Sequence, residues 1–168
     1  MTHRLILMRH TKSSYDDPLV KDIDRPLNAR GVTAAAKLGV WLTSRGDTPD
    51  EVLCSPAART QETWSGVAAK LPGQQADLRL MPALYLATPE AMLAVLHSAT
   101  FRLVMMLGHN PGIGTFANQL SAKPPLDPGF AHFPTGATLV LEFDIADWSD
   151  ARFGLGQVID FITPRDLE

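Results

Sequence analysis

Three apolar runs of the sequence each end in a cluster of polar residues that could act together on an anion. Residues 9–13 follow the first run, residues 55–59 the second and residues 108–110 the third. The clusters contain arginine, which can hold a phosphate through two parallel hydrogen bonds, and histidine, whose neutral imidazole can attack phosphorus. If the fold brings the three clusters together, their residue types predict phosphate binding and phosphoryl transfer.

The side chains that carry this chemistry are His10, His109, Arg9 and Arg59. One imidazole could serve as the nucleophile, while the other stabilises charge that develops on the phosphoryl oxygens or relays a proton. Arg59 falls in the first turn of a predicted helix, where backbone N–H groups and the helix dipole already favour an anion. Fixed positive charge on the phosphoryl oxygens is the largest catalytic contribution that such a site can make.

The elements that must position these residues alternate between strand and helix along the chain. Continuous apolar runs predict buried parallel strands at 5–8, 51–54 and 103–107, with a weaker strand at 77–81. Helical spacing predicts helices at about 30–45, 55–71, 88–96 and 110–120. This pattern indicates an α/β protein, a three-layer sandwich in which a central, mostly parallel sheet has helices on both faces. In open sheets of this kind the ligand lies beyond the carboxyl ends of the strands, where the three polar clusters fall.

Two dipeptides and the C-terminal third give more detailed expectations. Ser55-Pro56 and Asn110-Pro111 each resemble a helix N-cap followed by the first helical residue. Residues 121–136, rich in Pro, Gly and Ala, predict the longest loop. The segments 137–143 and 155–162 predict late strands that form a hairpin-like pair at one edge of the sheet.

The composition narrows the class of protein. A length of 168 residues predicts one domain, 1–168, without a sizeable lid insertion. The net charge of −3 argues against nucleic acid and anionic membranes as partners. The single cysteine, Cys54, fits a reducing cytoplasm. The apolar runs are far shorter than the roughly 20 residues that a membrane span needs, and no secretory signal is recognised.

The motifs around the polar clusters resemble those of a known family. Residues 5–10 (LILMRH) are similar to the Arg-His signature of the histidine phosphatase superfamily, which includes the phosphoglycerate mutases. Residues 24–31 (DRPLNARG), 54–60 (CSPAART), 107–111 (LGHNP) and 133–137 (FPTGA) resemble more narrowly the SixA-type phosphohistidine phosphatases. The resemblance extends from residue 5 to about residue 143 and implies a phosphoglycerate mutase-like fold.

The resemblance also implies roles for individual residues. His10 would be the nucleophile, transiently phosphorylated, and Arg9, Arg59 and His109 would complete the phosphate pocket. Asn110 and Ser13 are further candidates for substrate binding. The resemblance implies no metal and no other cofactor. His3, His97 and His132 lack a comparable placement and are interpreted as surface or packing residues.

Two positions depart from the family pattern. Members of the superfamily commonly have Gly directly after the Arg-His pair, where this chain has Thr11. The mutase-like branch carries a glutamate general acid, for which only Asp24 and Glu90 are weak candidates here. An alkoxide leaving group needs a proton, whereas an imidazole can depart neutral once its other nitrogen is protonated. The absence of an acid therefore favours a phosphoramidate substrate over a phosphate ester.

The function that these observations favour is a phosphohistidine phosphatase acting on a phosphorylated protein, because a chain without a lid leaves the site open. Two alternatives remain open at the level of sequence: a phosphatase of small phosphorylated metabolites, and a phosphate-sensing binding module with little turnover. A metal hydrolase is disfavoured because His10 and His109 lack any short ligand spacing.

Overall fold

The first apolar run forms an interior strand of a six-stranded sheet, seen in a computed structural model that describes residues 2–73 and 75–168. The strands are β1 (Thr2–Arg9), β2 (Glu51–Cys54), β3 (Asp77–Leu80), β4 (Leu103–Gly108), β5 (Thr138–Asp144) and β6 (Gln157–Ile162). Their order across the sheet is β3-β2-β4-β1-β5-β6. β1 pairs in parallel with β4 and antiparallel with β5, so β5 alone runs against the other five.

Five α-helices connect these strands and cover the sheet. They are α1 (Ala29–Arg45), α2 (Ala58–Ala68), α3 (Pro89–Leu96), α4 (Gly112–Leu120) and α5 (Pro128–His132). The apolar faces of α1 and α2 pack on one side of the sheet, and those of α3, α4 and α5 pack on the other. The three-layer α/β sandwich with a mostly parallel sheet, predicted from the sequence, is therefore confirmed.

Continuous apolar strands are stable here because both of their faces are covered. Leu5, Ile6, Leu7 and Met8 of β1 have no exposed surface, and their side chains alternate between the two cores. The late strands also form the predicted edge pair, with β5 antiparallel to β6. No helix among the described residues is both long enough and apolar enough to cross a membrane.

Three local predictions were wrong in detail. α2 begins at Ala58 rather than at Pro56, with Ala57 as its N-cap, and the Ser55 hydroxyl accepts from the Ala57 N–H group as well as bonding to His109. α4 begins at Gly112, one residue later than predicted. The predicted loop 121–136 contains the short helix α5, whose first turn is capped by the Asp127 side chain.

Candidate active site

A cavity of about 290 Å³ opens where β1 and β4 end, and it gathers the predicted polar clusters. Its lining includes all six residues singled out from the sequence as catalytic or substrate-binding: Arg9, His10, Ser13, Arg59, His109 and Asn110. It also includes Lys12, Tyr15, Arg25, Leu86 and Thr135. The parallel pairing of Arg9 with Gly108 brings the first and third clusters side by side, as the topological argument predicted.

His10 is buried and its ring orientation is fixed by the backbone. The Nδ1–H group donates to the carbonyl of Thr11 at 2.7 Å, and since a carbonyl only accepts, the proton lies on Nδ1. Nε2 of the neutral ring then carries the free lone pair. Burial, followed by the charges of Arg9 and Arg59, lowers the pKa of His10 to about 4 despite the Thr11 hydrogen bond. The imidazole is therefore neutral, and nucleophilic at Nε2, at physiological pH.

His109 lies next to His10, with 5.4 Å between the ring centroids. Its Nε2 is hydrogen-bonded to the Ser55 hydroxyl at 2.7 Å, while its Nδ1 is buried without a partner in the described chain. If Ser55 donates to Nε2, Nδ1 carries a proton that it can present to an anion. Burial, with the charge of Arg59, lowers the pKa of His109 to about 3, so its donor is a neutral N–H group.

Buried nitrogens without partners concentrate at this cavity. Among the described residues, four buried side-chain nitrogen or oxygen atoms lack a hydrogen-bond partner, and three of them are Arg9 Nε, Arg59 Nε and His109 Nδ1. Unsatisfied buried donors are costly and rare in folded proteins. Burial lowers the pKa of Arg9, and the charge of Arg59 lowers it further. An oxyanion between these residues would accept from all three donors and offset the repulsion between the two guanidinium groups.

Arg59 is held in place by an acidic residue on the loop after β1. Its Nη1 donates to the carbonyl of Asp22 at 2.6 Å, and its Nη2 pairs with the Asp22 carboxylate at 3.1 Å. The Tyr85 hydroxyl donates to the same carboxylate, and the Tyr85 ring packs edge-on against His109 with 5.6 Å between centroids. The hydrogen bond from Tyr85, together with Arg59, lowers the pKa of Asp22 to about 2. Asp22 is therefore an ionised anchor for Arg59 and cannot supply a proton near neutral pH.

The turn before β5 contributes Thr135 to the cavity lining and contacts Arg9 and Asn110. The carbonyl of Phe133 accepts from Arg9 Nη1 at 3.2 Å and from the Asn110 amide at 3.0 Å. Phe133 has a φ of 45°, an unfavourable left-handed conformation for a bulky residue, and its buried ring packs against Phe130 and Phe161. Asn110 also donates to the carbonyl of His132 and accepts from the Gly114 N–H group. Its amide is thus fully used in positioning this turn.

The segment after His10 is fixed by close backbone contacts. The carbonyl of Lys12 accepts from the backbone N–H of Asn28, and a Cβ at Gly31 would lie 2.0 Å from that carbonyl oxygen, so only glycine fits there. The Ser13 hydroxyl accepts a hydrogen bond from Arg25.

Thr11, which replaces the family's common glycine, is fully buried in this segment. Its backbone N–H donates to the Thr63 hydroxyl at 3.0 Å, and the two threonine hydroxyls are 3.2 Å apart. The larger residue is therefore accommodated by a partner on α2.

Several residues weighed from the sequence lie away from this cavity. Asp24 and Glu90, the weak general-acid candidates, are exposed and do not line it. His3 packs edge-on against Trp148, His97 is hydrogen-bonded to the carbonyl of Ala151, and His132 is exposed. Within residues 2–73 and 75–168, no three His, Cys, Asp or Glu side chains group as metal ligands.

Sequence reasoning missed Asp22, Tyr85 and the role of Ser55. Asp22 lies in a polar loop and Tyr85 in a segment without helical or strand periodicity, so neither carried a local signal. Ser55 was interpreted as a helix cap, a common role for serine before proline. The one available signal was the position of Ser55 at the carboxyl end of a buried strand.

We expect the His10 imidazole to titrate near pH 4 rather than near 6.5, the ordinary pKa of histidine. A group whose pKa is lowered on folding binds fewer protons in the folded state than in the unfolded state, so its contribution destabilises the fold as the pH falls below 6.5. Each such histidine contributes a slope of up to about 1.4 kcal/mol per pH unit between the two pKa values.

The measurement is a titration of the histidine ring resonances by NMR, together with urea unfolding at pH 7 and pH 5. His10→Gln should reduce the loss of unfolding free energy between these pH values. A His10 resonance that titrates near pH 6.5 would contradict the expected burial of a neutral ring.

Site and fold together define an α/β protein in which two arginines and two histidines line one cavity at the carboxyl edge of the sheet. The family model described as "Histidine phosphatase superfamily (branch 1)" matches residues 5–85. An uncharacterised protein of Mycobacterium tuberculosis is 30% identical over 165 residues, which cover 94% of this chain and 100% of that one.

Solved structures agree with the family model. A candidate phosphohistidine phosphatase SixA from Nakamurella multipartitia is 29% identical, with a TM-score of 0.82 and coverage of 98% of this chain and 97% of that one. A candidate SixA from Agrobacterium tumefaciens is 27% identical, with a TM-score of 0.78 and coverage of 96% and 98%. The chain belongs to the histidine phosphatase superfamily, has its phosphoglycerate mutase-like fold and resembles the SixA proteins along nearly its whole length. These likenesses support a phosphatase.

Proposed function

We propose that this chain is a phosphohistidine phosphatase that removes phosphate from a phosphorylated protein through a phosphoryl group carried on Nε2 of His10. The observation that carries the proposal is the cluster of three unpartnered buried donors beside a neutral, oriented imidazole. Its likeness to SixA proteins supports the same substrate class. The proposed enzyme is a single domain without a sizeable lid and works in the cytoplasm.

In the first step the Nε2 lone pair of His10 attacks phosphorus as the P–N bond to the substrate imidazole breaks. The substrate ring keeps the electron pair of that bond and departs neutral when its other nitrogen is protonated. Arg9, Arg59 and the Nδ1–H group of His109 hold the phosphoryl oxygens and stabilise the charge that they carry in the transition state. The Nδ1 hydrogen bond to Thr11 stabilises the imidazole as positive charge develops on it.

In the second step water attacks the phosphoryl group on His10, the P–Nε2 bond breaks and inorganic phosphate leaves. Ser13 and Asn110 shape the cavity through their contacts with Arg25 and the 132–133 carbonyls. Neither step needs a general acid for an imidazole leaving group. Among the residues described, Asp22 is the only carboxylate that pairs with the cavity residues Arg25 and Arg59, and its pKa of about 2 keeps it ionised. This charge state supports a phosphoramidate substrate over an ester.

The test compares a protein chemically phosphorylated on histidine with p-nitrophenyl phosphate. We expect kcat/KM to be at least about tenfold higher for the phosphohistidine protein, since the ester lacks a leaving group that departs neutral without an acid. Activity in the presence of a chelator would support a reaction without metal.

Equal or faster turnover of the ester would contradict the protein-substrate proposal and favour a small-molecule phosphatase. Binding of phosphate with no turnover of either substrate would instead support a phosphate-sensing module.

A further inference from the structure

A groove whose charged side chains are mostly cationic adjoins the active-site cavity on the side of α1. Two further cavities, of about 380 Å³ and 760 Å³, share Lys12 and Thr135 with the catalytic cavity and also share Arg30, Pro164 and Glu168 with each other. We call the two cavities together the basic groove. They continue the catalytic cavity along the surface rather than forming a separate pocket.

The charge of the basic groove opposes that of the whole chain. Its lining contains Lys12, Arg30, Lys37 and Arg165, and one carboxylate side chain, Glu168. The chain as a whole carries a net charge of −3. None of the four cations forms an ion pair with a side chain in the described parts of the protein, whereas Arg4, Arg25, Arg45, Arg59 and Arg79 all do. The groove cations are thus free to meet charges on another molecule.

One face of α1 forms the wall of this groove. Arg30, Thr33, Ala34 and Lys37 follow the spacing i, i+3, i+4 and i+7, which places them in one stripe along the helix. Arg30 and Lys37 lie at the ends of this stripe, about 10 Å apart along the axis, and the short side chains of Thr33 and Ala34 lie between them. A cation at each end and small residues in the middle leave room for an extended segment that carries acidic side chains.

We propose that the basic groove binds an acidic segment of the phosphorylated protein, next to its phosphohistidine. This inference rests on the proposed function, because it assigns the groove to the same substrate. Lys12, which lines the groove, follows His10 by only two residues. The backbone at the start of the groove is therefore within about 7 Å of the backbone of His10. An extended substrate segment advances about 3.3 Å per residue. Acidic residues three to six positions from the phosphohistidine would therefore reach Arg30 and Lys37.

The probes are two synthetic peptides phosphorylated on a single histidine. One carries glutamates three to six residues from that histidine, and the other carries glutamines at the same positions. We expect kcat/KM for the acidic peptide to exceed that for the neutral peptide by about tenfold at low salt. The reason is that the surface cations of the basic groove attract the acidic peptide and speed its association. The advantage should fall as ionic strength rises, since surface charges are screened.

Two charge reversals test whether the groove causes this preference. Arg30→Glu and Lys37→Glu should each remove most of the acidic peptide's advantage, while kcat/KM for the neutral peptide stays unchanged. Lys123→Glu, an exposed lysine that lines none of the three cavities, is the matched control and should leave the preference intact. Glu168→Gln should increase the preference, because it removes the groove's acidic side chain.

The outcomes separate this inference from the proposed function. If both peptides are dephosphorylated equally well, the groove does not recognise acidic segments, although the phosphatase activity stands. If the preference persists in both charge-reversal variants, the acidic segment binds elsewhere and the inference is overturned. If neither peptide is dephosphorylated by the unaltered chain, the proposed function itself fails.

Discussion

Replacing His10 by alanine lowers kcat by at least about ten-thousand-fold while phosphate binding is retained, if Nε2 of His10 carries the phosphoryl group. Removing a nucleophile that acts together with its neighbours abolishes nearly all of the catalysis they provide as a unit. Inorganic phosphate should still bind, because Arg9, Arg59 and His109 retain the buried donors. The readouts are steady-state turnover of a histidine-phosphorylated protein and calorimetric titration with inorganic phosphate.

Trapping identifies the reacting atom directly. Rapid quenching of the unaltered chain during turnover should yield an acid-labile phosphate on His10, located by mass spectrometry under alkaline conditions. The matched control is His97→Gln, which changes a histidine hydrogen-bonded to Ala151, away from the cavity. An unchanged rate in His10→Ala, or a phosphoryl group on a different residue, would refute the assignment.

Arg59→Ala should lower kcat/KM by about 100- to 1000-fold, the effect of removing one preorganised charge from a developing oxyanion. The side chain is 3% exposed and lies beside both histidines, so bulk water screens its charge only weakly. Arg59→Lys should recover less than a tenth of the lost activity, because an ammonium lacks the planar fork that Asp22 and a phosphate can engage together.

A second variant distinguishes the charge of Arg59 from its positioning. Asp22→Asn keeps the guanidinium but removes the carboxylate that pairs with it, and we expect a loss of about tenfold or less. Arg152→Ala is the matched control, since Arg152 is exposed and donates only to nearby carbonyls. A loss in Asp22→Asn as large as that in Arg59→Ala would show that positioning, rather than charge, accounts for the effect.

The strands and the meeting of the three polar clusters could be predicted because both follow from short-range patterns. A fully apolar run such as residues 5–8 is stable only when both faces are covered, and parallel strands place their carboxyl ends at one edge. Those two facts are enough to predict that Arg9, His10 and His109 lie close together. The boundaries of the strands differed from the predictions by at most a few residues.

The partners that orient the site could not be predicted, because they come from distant parts of the chain. Tyr85 and Asp22 meet across 63 residues, and Arg9 meets the Phe133 carbonyl across 124. Ser55 is a further example of a role that depends on a distant part of the chain. Its hydroxyl satisfies the local rule for a helix cap, yet it is hydrogen-bonded to His109, 54 residues away. A local rule gives the roles available to a side chain, and tertiary contacts decide which role it adopts.

The position of β1 has a consequence for how the protein is made. Among the six strands β1 is synthesised first, yet its sheet neighbours are β4 and β5, which begin at Leu103 and Thr138. At about 5–20 residues per second, synthesis reaches β5 on the order of ten seconds after β1. During that interval the apolar side chains of β1 lack the sheet partners that later cover them. The Phe133 carbonyl that holds Arg9 is also absent until then, so a partly made chain carries the reactive histidine without an active site.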